Sequence, residues 1–317
     1  MTNKQKIAIV GTGAMGSVYA GLLADAGHEV WAIDAWKDHV DAINAKGLTV
    51  DGASGNRTVR LKATTNAADA GPCDLVIIAT KAADVETAAH SVAPLLKPGT
   101  PVLTIQNGLG SADKVAAIVG ADKVLIGVVG GFGASLKAPG HAHHNGMEFL
   151  RLGEMKGGGS KRLEETAETW RSGGFKVLTF GDIHKMIWEK LICNTTYSAP
   201  SALTGWTVGQ MQAEPNAWRI CADAATEAFA VARKKGIELD FTDPVAYVKA
   251  FGAKIPGARP SMLLDHMARR PSEIDVINGA IPREGRAVGE PTPVNDTLVA
   301  LVKARESEFG TGGMRSR

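Results

Sequence analysis

The sequence predicts an α/β chain in which an N-terminal Rossmann-like, doubly wound sheet is followed by an all-helical C-terminal domain. Three observations carry this. Short apolar runs alternate with helical stretches from Ile7 to Val129, a glycine fingerprint joins the first run to the first helix, and no convincing strand pattern follows Asp182.

The runs Ile7 to Val10, Val30 to Ile33, Leu75 to Ala79, Val102 to Ile105 and Val124 to Val129 have the continuous apolar character of strands covered on both faces. Beyond Gly131 the composition shifts to Gly, Pro and His turns, so Val124 to Leu136 reads as a strand and its exit loop, too short and glycine-rich for a membrane span. A hairpin-like return through Met147 to Leu152, the Gly157-Gly158-Gly159 turn, a short helix and a strand at Lys176 to Phe180 read as an antiparallel extension of the same sheet. Helices interrupted by Pro200, Pro215, Pro244, Pro256, Pro260, Pro271 and Pro291 follow, and the tail Gly310 to Arg317 reads as disordered. The expected domains are residues 1–181 and 182–317.

With 317 residues, two domains are the natural division. A formal net charge of +2 gives no basic field that would point to nucleic acid. Cys73, Cys193 and Cys221 are odd in number and lack CxxC spacing, which argues for buried thiols and against a disulfide framework or zinc site. His141, His143 and His144 lack a carboxylate or a spaced partner of metal-site type and read as a polar turn, so no metal is expected. Polar residues Met1 to Lys6 run straight into the first strand, and a cytoplasmic location is the resulting expectation.

Gly11-Thr12-Gly13-Ala14-Met15-Gly16 stands between strand and helix, as a dinucleotide fingerprint should. Gly11 suits the tight turn, Gly13 lets backbone approach a pyrophosphate, and Gly16 allows close packing of helix on sheet. Asp34 ends the second strand, where a carboxylate accepts from ribose hydroxyls and repels a 2′-phosphate, favouring NADH; the lesser alternative is a cap for the helix near Trp36.

Lys81 and Asn107 leave the carboxyl ends of core strands, where ligands of open α/β sheets bind; each also reads as an ordinary surface or turn residue. In the helix Asp182 to Ser198, the residues Ile187, Trp188, Leu191, Ile192 and Thr195 form the buried face. Lys190, Asn194 and Ser198 recur every fourth residue along its edge, although Lys190 alone reads as a snorkelling surface lysine. Ser261 and Ser272 read as helix N-caps and Glu273 as a first-turn carboxylate.

Taken together, GTGAMG, ATKAADV, IQNGLG, Trp188-Glu189-Lys190-Leu191 with Asn194, SMLLDH and SEIDVINGAI resemble the ketopantoate reductase (2-dehydropantoate 2-reductase) family over nearly the whole chain. The resemblance implies NAD(P)H-dependent reduction of a 2-oxo acid to a 2-hydroxy acid, 2-dehydropantoate to pantoate, in pantothenate biosynthesis. It implies that Lys190 is the catalytic lysine, Glu273 the active-site carboxylate, Asn107 and Asn194 polar groups near the substrate, Ser261 a contact to the substrate carboxylate and Lys81 a cofactor-side lysine. Asn107 is also expected near the cofactor, and Ser198 near the substrate.

Two departures stand out. Ser198 and Val208 occupy positions where the family often places asparagines, and Asp34-Ala35-Trp36 stands where many NADPH-dependent members carry arginine. Rival readings are a dehydrogenase for another 2-oxo or 3-hydroxy acid and a non-catalytic dinucleotide-binding module. The expected partner is a small 2-oxo acid, with no nucleic acid and no membrane, and a homodimer is compatible with the sequence.

Overall fold

A computed structural model describes residues 4–131, 133–146 and 149–309. The expectations for Met147 and for the tail Gly310 to Arg317 lie outside the described residues. The chain forms two compact units, Met1–Gln106 with Ser111–Ile183, and Asn107–Gly110 with His184–Arg317.

The first unit runs β1 (Lys6–Val10), α1 (Ala14–Asp25), β2 (Glu29–Ile33), α2 (Lys37–Lys46), β3 (Leu48–Gly52), β4 (Arg57–Val59), β5 (Lys62–Thr64), β6 (Leu75–Ile78), α3 (Val85–Ser91), β7 (Val102–Thr104) and α4 (Ser111–Val119). It continues through β8 (Val124–Val129), β9 (Gly133–Ala138), β10 (His141–Gly146), β11 (Phe149–Glu154), α5 (Lys161–Ser172) and β12 (Lys176–Phe180). Eight strands form one sheet in the order β12-β11-β8-β7-β6-β1-β2-β5. β1 is parallel to both β2 and β6, pairing Ile7 with Val30 and with Leu75, so the chain reverses its direction of winding beside β1. That reversal opens a crevice at the carboxyl ends of the strands, where the glycine loop emerges.

The expected extension exists, but only its first step is antiparallel: β11 runs antiparallel to β8 and β12 parallel to β11. The segment read as an exit loop and polar turns is different again. Residues 133–136 lie in β9 and the three histidines in β10, both part of a separate sheet ordered β4-β3-β10-β9. β10 pairs with β3, His141 opposite Thr49, so the partner that makes these residues a strand is remote in sequence and invisible to local pattern. Helix α1 packs against both sheets, which explains its run of buried residues from Gly16 to Leu23. At Gly21 a Cβ would lie 2.5 Å from Val50 Cγ2, so glycine is what allows the second sheet this close. Tyr19, Trp170 and Phe175 close the core edge to face, with Trp170 4.9 Å from Tyr19 and 4.8 Å from Phe175.

The second unit holds α7 (Val208–Ala213), α8 (Pro215–Lys234), α9 (Pro244–Ala253), α10 (Ser261–Met267), α11 (Ala280–Val288) and α12 (Pro293–Glu306), preceded by the long α6 (Ile183–Thr204), and no strand among the described residues. Its core is rich in alanine, with Ala199, Ala202, Ala224, Ala225, Ala228 and Ala232 fully buried, so helix backbones approach closely. Pro200 does not interrupt α6 as expected. It removes one backbone donor, but polar side chains serve the carbonyls around it: Thr204 Oγ1 donates to Pro200 O, and Arg305 donates to Ala202 O and Leu203 O at the helix end. Pro215, Pro244 and Pro293 instead sit in first turns, where no donor is lost.

Candidate active site

β1 delivers the chain into Gly11, whose N–H donates to Ile33 O at 2.8 Å. Gly11 has φ of 90°, and a Cβ there would meet Thr80 N at 2.6 Å. At Gly16 a Cβ would lie 2.1 Å from Gly11 O, so this position is closed to any side chain. Gly13 is the opposite case: a Cβ would find no protein atom within 4 Å. Open space at the middle glycine, with tight packing at the outer two, is what a loop that admits a pyrophosphate needs. The residues present therefore fit a dinucleotide, with Thr12 buried and Ala14 and Met15 opening α1 beside it.

Asp34 follows β2 and is buried. Its Oδ1 accepts the Trp36 N–H at 2.9 Å, while Trp36, the residue before α2, makes no side-chain cap of its own. Asp34 is therefore not the expected N-cap, which is Trp36; one of its carboxylate oxygens holds the turn before α2, and a carboxylate has a second to offer. Lys81 is exposed on the loop after β6; Gln106 steadies that loop by donating from Nε2 to Ile78 O (2.8 Å) and Thr80 O (3.1 Å).

In the second unit, Lys190 Nζ donates to Asn107 Oδ1 at 2.8 Å, and Asn107 Nδ2 donates to Glu273 Oε2 at 3.2 Å. An ammonium can only donate and a carboxylate only accept, so the amide between them has one orientation. The strap 107–110 is fastened at its second and third residues. Leu109 N donates to Val276 O at 2.9 Å, and a Cβ at Gly108 would lie 1.9 Å from that same oxygen.

This fastening explains why the segment after Pro271 is not the expected helix. Val276 O serves Leu109, Ala280 N turns to Ile277 O, and residues 273–279 form successive turns before α11 begins. Ser272 is correspondingly no N-cap: its N–H and Oγ both donate to Glu306 Oε1, at 2.8 and 2.6 Å. Ser261 is also not a cap but the exposed first residue of α10, preceded by Pro260.

The chain of hydrogen bonds joins Lys190, Asn107 and Glu273. Asn194 and Ser198 follow Lys190 at successive turns of α6, half-buried and buried, while Val208 is a core residue. Ile187 is only partly covered, unlike the other four residues of the expected buried face. The sequence reading missed two braces of the Glu273 turn. Glu306 grips Ser272 together with His266 Nε2 (3.1 Å), and Asn278 Nδ2 donates to Thr195 O (2.9 Å) and Asn295 Oδ1 (3.0 Å). No local signal marks them, because their partners lie far along the chain.

The histidine cluster does have a carboxylate partner, contrary to expectation. Asp51 of β3 accepts from Lys137 and bonds His141 Nε2, each at 2.8 Å, and pairs with His143 Nδ1. These bonds, Lys137 foremost, hold its carboxyl below the usual range. Among the described residues no group of three or more His, Cys, Asp or Glu is placed to hold a metal ion, and no helix is long and apolar enough to cross a membrane. Burial pushes the Cys73 thiol up to about 11 and those of Cys193 and Cys221 up to about 12, so all three stay protonated near neutrality.

Residues 7–157 match the family model for ketopantoate reductase PanE/ApbA, and residues 182–306 match the model for its C-terminal part. The chain is 32% identical to the 2-dehydropantoate 2-reductase of Pyrococcus horikoshii, over 96% of this chain and 99% of that one. In three dimensions it is similar to a PanE/ApbA family ketopantoate reductase from Ralstonia eutropha, with TM-score 0.88, 32% identity and coverage of 96% and 99%. A D-mandelate dehydrogenase in ternary complex with NADH and anilino(oxo)acetate is comparably similar, with TM-score 0.86, 30% identity and coverage of 96% and 99%.

Proposed function

Because the chain belongs to the ketopantoate reductase family, we propose that it reduces a 2-oxo acid to the 2-hydroxy acid with a nicotinamide dinucleotide, and that 2-dehydropantoate, on the route to pantothenate, is the substrate. The observation that carries this reading is the hydrogen-bonded order Lys190, Asn107, Glu273. The Gly11–Gly16 loop and Asp34 hold the dinucleotide, Lys81 lies on its side, and Asp34 favours NADH. When bound, the nicotinamide supplies the hydride to the 2-oxo carbon.

Lys190 Nζ delivers a proton to the oxygen of the carbonyl being reduced, a step worth roughly 100-fold or more in rate. Asn107 accepts one of the three Nζ protons and so aims the other two. Glu273 turns the Asn107 amide through its bond to Nδ2 and accepts from the hydroxyl of the product. Asn194 and Ser198 extend the polar edge of α6 toward the rest of the substrate, and Ser261 contacts its carboxylate. A cytoplasmic location accords with this role.

A second reading changes the substrate. The D-mandelate dehydrogenase likeness, together with Ser198 and Val208 in place of amides, favours a 2-oxo acid with an apolar distal end. One panel separates them: turnover of 2-dehydropantoate, 2-oxoisovalerate and phenylglyoxylate, each with NADH and with NADPH. Preference for 2-dehydropantoate supports the first reading and preference for phenylglyoxylate the second, while absence of turnover with every acid and both cofactors rejects the reductase reading.

A further inference from the structure

Behind the glycine loop of the first unit lies a line of buried polar groups, two of which, His39 and Ser17, have no part in the function proposed above. His39 of α2, Ser17 of α1 and Thr12 are each fully buried. His39 Nδ1 accepts the N–H of Gly140, in the turn between β9 and β10, at 3.0 Å. A ring nitrogen that accepts carries no proton, so the proton of the neutral imidazole sits on Nε2, 3.2 Å from Ser17 Oγ. Burial lowers the His39 pKa, against opposing pulls from Asp34 and from a backbone hydrogen bond to Thr12, and so favours this neutral form. With its oxygen receiving from His39, Ser17 gives its own proton to Thr12 O at 2.7 Å. The Trp36 ring stacks on His39 at 5.4 Å and 11°.

The direction of this relay has a consequence one atom further on. Thr12 C=O and Gly13 N–H belong to one trans peptide, in which the two groups point opposite ways. Anchoring the carbonyl inward turns the N–H outward, at the one glycine of the loop where a Cβ would meet nothing. Glycine leaves such a peptide free to rotate, and fixing it beforehand lowers the ordering cost of binding. We propose that His39, acting through Ser17, is a positioning residue that aims the Gly13 N–H at a dinucleotide pyrophosphate, with the β9–β10 turn as its outer anchor. The inference rests on the reading of Gly11–Gly16 as the dinucleotide loop.

The test is titration of the full-length protein with NADH and with ADP-ribose, which shares the pyrophosphate but lacks the nicotinamide. His39→Ala and Ser17→Ala should each raise both Kd values by about tenfold, the worth of one hydrogen bond to a charged group. The double variant should be no worse than about twofold beyond either single, because both break one relay. His39→Gln, whose amide can still donate to Ser17, should recover most of the affinity, and KM for the 2-oxo acid at saturating NADH should not move. Kd values unchanged in folded Ser17→Ala and His39→Ala, or effects that multiply in the double variant, would overturn the proposal. Should His39→Ala fail to fold, Ser17→Ala and His39→Gln decide it alone. Gly13→Ala separates the two levels. If it folds and binds NADH normally, the loop reading itself fails; if it loses NADH while Ser17→Ala does not, only the positioning role falls.

Discussion

Replacing Asp34 with asparagine separates the two roles of that residue. Asparagine is nearly isosteric and its amide oxygen can still accept the Trp36 N–H that Asp34 Oδ1 holds at 2.9 Å, so the entry to α2 should survive. What disappears is a buried negative charge. Two unit charges about 4 Å apart at an effective dielectric near 20 interact by about 4 kcal/mol. Water beside the exposed Ala35 screens roughly half of this, leaving about 2 kcal/mol, or about 30-fold in cofactor preference. Asp34→Asn should therefore lower the ratio of kcat/KM with NADH to that with NADPH by about 30-fold, with thermal stability close to that of the unmodified protein. Asp34→Ala should shift the ratio similarly but also cost about 1 kcal/mol of stability, since it removes the acceptor as well. Steady-state kinetics with each cofactor and thermal unfolding of both variants provide the assay. An Asp34→Asn ratio within about twofold of the original, or an unmodified protein that prefers NADPH, would refute the electrostatic argument and leave Asp34 as a turn residue.

Lys190→Ala should leave NADH affinity intact and lower kcat by about 100-fold or more; near-normal turnover would remove Lys190 from the proton transfer. If Ser198 and Val208 leave the distal hydroxyl of 2-dehydropantoate weakly held, 2-oxoisovalerate should be penalised by less than about tenfold in kcat/KM. Discrimination of several thousandfold would show that other side chains supply those contacts. Burial lowers the pKa values of His28, His39 and His144, so below their unfolded value near 6.5 the unfolded chain binds more protons than the folded one. Stability is then full above that pH and declines as pH falls below it. Tm should drop between about pH 7.5 and about pH 5.5, and drop less in His39→Gln; a Tm equal at the two values would contradict the assignment.

The parallel strands β1, β2, β6, β7 and β8 were legible because each carries a short apolar run, a pattern that two-sided burial imposes on the residues themselves; the edge strand β5, Lys62–Thr64, has no such run and was not. The second sheet was not, since Thr49, His141 and His143 become strand residues only through pairing across the gap between β3 and β10. For the site, spacing along one helix placed Lys190, Asn194 and Ser198 on a common edge, and family motifs pointed to Asn107 and Glu273. The local form around Glu273 was misread: SEIDVINGA has helical spacing, yet Leu109 takes the Val276 carbonyl that a helix would need. Tertiary competition for one backbone acceptor decides that segment, and no window of neighbouring residues records it.

The strap at residues 107–110 also bears on how such a chain can be taken apart and recombined. Four residues counted with the helical unit are encoded in the middle of the other one, so the polypeptide crosses from one unit to the other at residues 106/107, 110/111 and 183/184. A fragment starting at His184 would lack Asn107, the link in the hydrogen-bonded path from Lys190 to Glu273, and would leave Val276 O without the Leu109 donor. Exchange of the helical half between relatives at the single junction near residue 183 would bring together a strap and a receiving turn of different ancestry. Chimeras that carry residues 107–110 along with the helical half should keep that join, so the hydrogen-bonded path from Lys190 to Glu273 is encoded by two separate stretches of the gene.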